Sequence, residues 1–144
     1  MIRRALLLGA AALPVAAQAA APEVLELVGR PLVALAAHPT VGPRLRTMTA
    51  GRQRIVSDAV RGPGPGLTIT GSWIHGQACA PEGCGLAKVF LAFDTQSESV
   101  VIMLLEHDRP SLFIPPRVAP WPMILAPAVR AFSPELGAVM RFSE

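Results

Sequence analysis

The chain has 144 residues, 51% of them hydrophobic, and a mean hydropathy of +0.44, values that exclude a disordered, highly charged polypeptide. Its thirteen basic residues stand against ten acidic ones, but Arg3 and Arg4 belong to an N-terminal leader, and without them the net charge falls to +1. With no tyrosine, five phenylalanines and two tryptophans, and with so small a charge, the composition lacks the basic surface and stacking aromatics of a nucleic-acid-binding protein.

The leader comes first in chain order. Residues 1–4 make a basic start, residues 5–12 an apolar run, and Ala17-Gln18-Ala19 a small-residue cleavage signal. This pattern predicts a signal peptide over residues 1–19, cut after Ala19, and a single periplasmic domain over residues 20–144. The Arg3-Arg4 pair fits both the general secretory and the twin-arginine route. The apolar run is too short to span a bilayer, and no later segment offers about twenty apolar residues free of charge or proline. No membrane insertion is expected.

Residues 22–37 carry apolar side chains at loosely helical spacing, with Gly29 and Pro31 placed to break the run and His38-Pro39 to end it. A second helical stretch is expected over residues 41–60. There Leu45, Met48, Ile55, Val56 and Val60 form an apolar stripe, Arg44, Arg46, Arg52, Arg54 and Arg61 a basic outer face, and Gly51 a point of division. The arginines read either as the solvated side of the helix or as a binding face for anionic glycans or lipid headgroups.

Gly62-Pro63-Gly64-Pro65-Gly66 is a turn-forming linker, after which the chain changes character. Leu67, Ile69, Gly71 and Trp73 alternate with Thr68, Thr70 and Ser72, the period-two pattern of one half-buried strand. Strands are expected over residues 87–93 and 100–105, joined by the polar turn 94–99, and over 111–114, forming an antiparallel meander. Residues 121–125 suggest another strand. Ser133-Pro134-Glu135 marks a helix start, with a capping serine, proline at the first position and an acid in the first turn. The fold class is therefore α+β: a central antiparallel β-sheet flanked by helices. Trp73 and Trp121 are expected in or at the edge of the core. The proline-rich stretch 110–127 reads as protection of a sheet edge, with a polyproline recognition segment as the alternative.

The two cysteines, Cys79 and Cys84, bracket Ala80-Pro81-Glu82-Gly83. Export into an oxidising compartment predicts a disulfide between them. So small a ring contributes only about 2 kcal/mol of chain-entropy stabilisation, so its main effect is to hold a shape. A metal site using the cysteines with His75 or His107 is the competing reading, weakened because oxidation removes the thiolates. The C-x-x-C spacing of redox-active pairs is absent. A carboxylate pair of Glu82 with Glu106 or Asp108 would suit glycoside hydrolysis, but no nucleophile motif supports catalysis, and residues 106–108 read as a solvated turn. No catalytic residue, metal or cofactor is assigned.

Ala78-Cys79-Ala80-Pro81-Glu82-Gly83-Cys84-Gly85 resembles the signature Ala-Cys-Lys-Pro-His-Asp-Cys-Gly of the Ivy family, the periplasmic inhibitors of vertebrate lysozyme. The surrounding order is similar too: helices, a strand into the loop, and a strand ending in Phe93-Asp94. The resemblance implies a disulfide-closed loop, protruding from the sheet, that enters the active-site cleft of a lysozyme or a lytic transglycosylase. It thereby assigns Ala80, Pro81, Glu82 and Gly83 to target binding. In the family the loop histidine bonds both catalytic carboxyl groups of the target. Here that position is Glu82, the lysine position is Ala80 and the aspartate position is Gly83. These departures favour, as the alternative, a non-inhibitory periplasmic scaffold or sensor that keeps the fold. Monomer and homodimer both remain open.

Overall fold

The computed structural model describes residues 23–144 together with Gly9; apart from Gly9, the expected signal peptide, residues 1–19, lies outside the described residues. Ala87–Asp94 (β3) and Val100–Glu106 (β4) are almost wholly apolar, and both are buried on both faces. They form the middle of a five-stranded antiparallel sheet in the order β1-β2-β3-β4-β5, with Thr68–Thr70 (β1), Trp73–Cys79 (β2) and Arg109–Ile114 (β5) completing the meander. A strand buried on two sides reads as a continuous hydrophobic run, because neither set of alternating side chains meets water.

One face of the sheet carries Ile74, Ala78, Val89, Leu91, Phe93, Val100, Ile102 and Leu104. Onto it pack a 3-10 turn at Val24–Leu27 and the helices Leu32–Ala36 (α1), Gly42–Met48 (α2) and Gln53–Val60 (α3), through Leu27, Leu32, Leu35, Leu45, Val56 and Val60. Gly51, at φ +86°, separates α2 from α3, and Gly29, also at φ +86°, separates the 3-10 turn from α1. The two expected interruptions therefore fall where only glycine is comfortable.

The opposite face carries Trp73, Phe90, Ala92, Val101, Met103 and Leu105 against Trp121, Leu125, Val129, Phe132 and Met140. Its cover is C-terminal. A two-residue strand, Trp121–Pro122 (β6), pairs in parallel with Phe142–Ser143 (β7) and leads through Met123–Leu125 into the helices Ala126–Phe132 (α4) and Pro134–Val139 (α5). Trp121 is fully buried and its Nε1–H donates to the Pro115 carbonyl at 2.8 Å, so the indole meets no unpaired cost. Ser133 caps α5, its hydroxyl accepting from the Leu136 N–H.

Two expectations need correction. Residues 67–73 do not form one strand: Thr70 faces Trp73, and Gly71 at φ +59° with Ser72 makes a two-residue hairpin turn between β1 and β2. In residues 121–125 the strand is limited to β6; Met123–Leu125 is a 3-10 turn, and a helix begins at Ala126. Pro127 sits in its first turn, where a missing N–H costs nothing.

Candidate functional site

The linker explains how the cysteine loop is held. Cys79 donates its N–H to the Pro63 carbonyl at 2.9 Å, so residues 62–64 run beside the end of β2. A Cβ at Gly62 would sit 1.5 Å from the Cys79 carbonyl oxygen, and one at Gly64 2.1 Å from that of Gln77. Only residues without side chains fit against that backbone, which is why glycines alternate with prolines there.

Beyond Cys79 the loop is built from backbone hydrogen bonds. The Ala80 N–H donates to the Ala87 carbonyl at 2.9 Å, extending the β2–β3 pairing by one step. Its own carbonyl accepts from Gly83 N–H at 2.9 Å, closing a four-residue turn with Pro81 second and Gly83 fourth, positions those residues favour. Gly83 has φ +136° and open space around its would-be Cβ, so the backbone angle, not crowding, calls for glycine. A second turn follows, from Leu86 N–H to the Gly83 carbonyl at 3.2 Å. The Cys79–Cys84 disulfide closes the ring with the two Cα atoms 4.6 Å apart.

The expected binding residues divide by exposure. Ala80 is buried, at 4% exposed, and forms the loop's base. Pro81 and Glu82 are exposed, as are Cys84 and Gly85, and Gly83 is half-buried. Among the described residues, Glu82 has no hydrogen-bond or ion-pair partner. Leu86, 45% exposed, continues the surface on the far side of the ring.

A neighbouring turn widens this surface. Glu106 pairs with Arg109, and His107 and Asp108, at φ 52° and 60°, make the two-residue turn between β4 and β5. The His107 N–H donates to the Leu86 carbonyl at 3.1 Å, fastening this turn to the cysteine loop. The carboxylate of Glu106 is already engaged, accepting from the Ser111 hydroxyl and lying 3.2 Å from an Arg52 guanidinium nitrogen. Thus Glu82, Glu106 and Asp108 share one end of the sheet, but Glu106 holds α3 and β5 in place.

His75 stands apart from the loop. It lies on β2 four residues before Cys79, roughly 13 Å along an extended chain. Its ring stacks on Phe90 at 6.0 Å, its Nε2 bonds the Thr70 hydroxyl at 2.9 Å, and burial lowers its pKa below the ordinary histidine value. Both cysteines are consumed in the disulfide, and among the described residues no group of three histidine, cysteine, aspartate or glutamate side chains is placed to hold a metal ion. No described helix is long and apolar enough to cross a membrane.

Compared with known proteins, residues 40–135, two thirds of the chain, match the family model described as "Inhibitor of vertebrate lysozyme (Ivy)". No curated protein and no solved structure matches the chain.

Proposed function

The chain belongs to the Ivy family, whose members inhibit lysozyme and are not themselves enzymes, and from that premise we propose that it acts in the periplasm by inserting the Cys79–Cys84 loop into the active-site cleft of a lysozyme or a lytic transglycosylase. One observation carries this reading. The loop's base is fixed by a disulfide, the linker and backbone hydrogen bonds, while its tip, Pro81-Glu82, is exposed and makes no internal polar contact. A loop ordered before docking loses little conformational entropy on binding. Leu86 and the His107 turn extend the contact surface beside the tip. Residues 20–144 act as one domain, with residues 1–19 removed on export.

Glu82 sets the chemistry of the contact. A retaining glycosidase holds its acid and nucleophile only about 5 Å apart, so an ionised Glu82 would bring a third negative charge to a crowded, partly dry site. Like charges at that distance raise one another's pKa, and binding is strongest when a proton is shared among them. Inhibition by this chain therefore strengthens as the pH falls. Glu82→His replaces the like charge with a donor and tightens binding on the order of ten- to a hundredfold.

The test is titration of the purified protein into turbidity assays with vertebrate lysozymes and periplasmic lytic transglycosylases, at several pH values. Inhibition that grows toward acid pH and is enhanced by Glu82→His supports the reading. The presence of Glu82 where the family carries histidine favours a second one, a scaffold or sensor that has lost inhibition. No complex with any of these enzymes at tens of micromolar, with either residue at position 82, would decide for it.

A further inference from the structure

The five arginines of the α2–α3 region do two different jobs. Arg44 pairs with Glu98 at 2.9 Å and Arg52 with Glu106 at 3.2 Å, tying the helices to opposite ends of β4. Arg46, Arg54 and Arg61 are exposed and have no ion pair among the described residues. All three line one cleft of about 510 Å³ between α1, α2 and α3. Its floor includes Val33, Leu45, Val56 and Val60, Ser57 adds a hydroxyl, and no acidic side chain lines it.

A solvated helix face scatters its charges and offers them nothing apolar. Here three arginines line one cleft over a hydrophobic floor with no acidic side chain in the lining, and Asp58, on α3 between Arg54 and Arg61, makes no ion pair with either, which concentrates positive potential above a low-dielectric surface. The volume is that of a small-molecule site, as is the combination of apolar lining with a few polar groups. Guanidinium forks match phosphate and carboxylate oxygens in pairs. The accessible apolar surface comes from Val33, Ala36 and Ala37 on the α1 side of the cleft, above the buried Leu45, Val56 and Val60, so it suits a single guest molecule better than a bilayer surface.

We propose that this cleft binds a small amphiphilic anion, its apolar chain on the floor and its phosphate or carboxylate head among Arg46, Arg54 and Arg61. The site is separate from the cysteine loop and does not depend on lysozyme binding.

Isothermal titration of the leaderless protein with octyl phosphate, below its micelle concentration, tests the idea. Inorganic phosphate and 1-octanol probe head and tail separately, and flotation with anionic phosphatidylglycerol vesicles probes a bilayer source. The expected result is one saturable site for octyl phosphate, at least about tenfold tighter than either fragment, weakening with added salt. Arg46→Gln with Arg54→Gln, both at exposed positions, should weaken it at least about tenfold, with unchanged circular dichroism, whereas Arg117→Gln should not. Absence of saturable binding, equal affinity in the double variant, or association with vesicles without octyl phosphate binding would each overturn the proposal.

Discussion

The two ends of the sheet solve the same problem, closing a connection between neighbouring strands, by opposite means. At one end the β3–β4 turn, residues 94–99, consumes its own side chains. The Asp94 carboxylate accepts from the Gln96 N–H and the Ser97 hydroxyl, Ser97 also bonds Ser99, the Thr95 hydroxyl donates to the Ser72 carbonyl, and Glu98 pairs with Arg44. At the other end the β2–β3 loop is closed by a disulfide and by main-chain hydrogen bonds, and its exposed side chains bond nothing within the protein. A turn held by its side chains has few left to offer a partner. A turn held by its backbone and a covalent bond keeps them all, which is the arrangement recognition requires.

The bracing at the loop end is the place where the contrast breaks most easily. Gly62→Ala would drive a methyl into the Cys79 carbonyl, a contact between backbones that no rotamer relieves, so the linker must leave β2. The expected loss is about 3 kcal/mol, the upper part of the ordinary range for single substitutions, measured by urea unfolding. A loss within 0.5 kcal/mol, the usual range for ordinary surface substitutions, would mean that the linker does not support the loop. Replacing both cysteines, Cys79→Ser with Cys84→Ser, should cost less, about 2 kcal/mol. The fold should survive, while protection of the loop amides Gly83 and Leu86 against hydrogen exchange drops, and with it the affinity for any lysozyme the intact protein binds. If those amides stay protected, the backbone turns alone hold the loop.

How far the sequence reveals this arrangement depends on how local each signal is. The β3 and β4 runs, the breaks at Gly29 and Gly51, the Ser133 cap and the paired cysteines are local, and each lies where the pattern puts it. The β1–β2 hairpin is hidden because a two-residue turn preserves parity: Leu67, Ile69, Gly71 and Trp73 keep alternating with polar residues straight through it. The α4 helix is hidden by prolines, which look like breakers although Pro127 occupies a position that tolerates one. At the loop, cysteine spacing reveals the ring but not that Ala80 lies underneath, since its burial comes with a linker some seventeen residues earlier in the chain. The sorting of the arginines is equally remote, resting on Glu98 and Glu106, 54 residues from Arg44 and Arg52 respectively.

Acid acts mainly on the end of the sheet that carries the polar turn, where the β1–β2 hairpin also lies. His75 lies on β2 beside the hairpin end, and desolvation lowers its pKa, so the folded protein favours the neutral ring. The unfolded chain then binds more protons, and stability is complete above the unfolded value of about 6.5 and declines as the pH falls through it toward the folded value. Asp94 acts later. Burial would raise its pKa, but hydrogen bonds from the Ser72 and Ser97 side chains and from the backbone of Gln96 and Ser97 outweigh that and hold it below the ordinary carboxylate value. Its contribution is present above about 3.9 and lost as the pH falls through the still lower folded value. Thermal melts from pH 8 to 3 should show two successive declines, with His75→Gln flattening the first and Asp94→Asn the second. A single decline unaffected by His75→Gln would show that the histidine is not desolvated.

The smallest effect tests how the polar turn is held. The Arg44–Glu98 pair is close, at 2.9 Å, but both side chains are about half exposed, so water screens it and Arg44→Ala should cost no more than about 0.5 kcal/mol. Glu98 itself sits at φ 59°, where a side chain crowds its own backbone at a cost of roughly 1 kcal/mol and glycine does not. Glu98→Gly removes both the ion pair and that crowding, and the second term is the larger. It should therefore leave the protein unchanged or make it slightly more stable, even though it deletes a visible salt bridge. Unfolding of the two variants side by side separates the terms, because both delete the ion pair and only Glu98→Gly relieves the crowding: a loss well above about 0.5 kcal/mol in Arg44→Ala would show that the ion pair does hold the turn. In that case this end of the sheet depends on its side chains even more than its hydrogen bonds indicate.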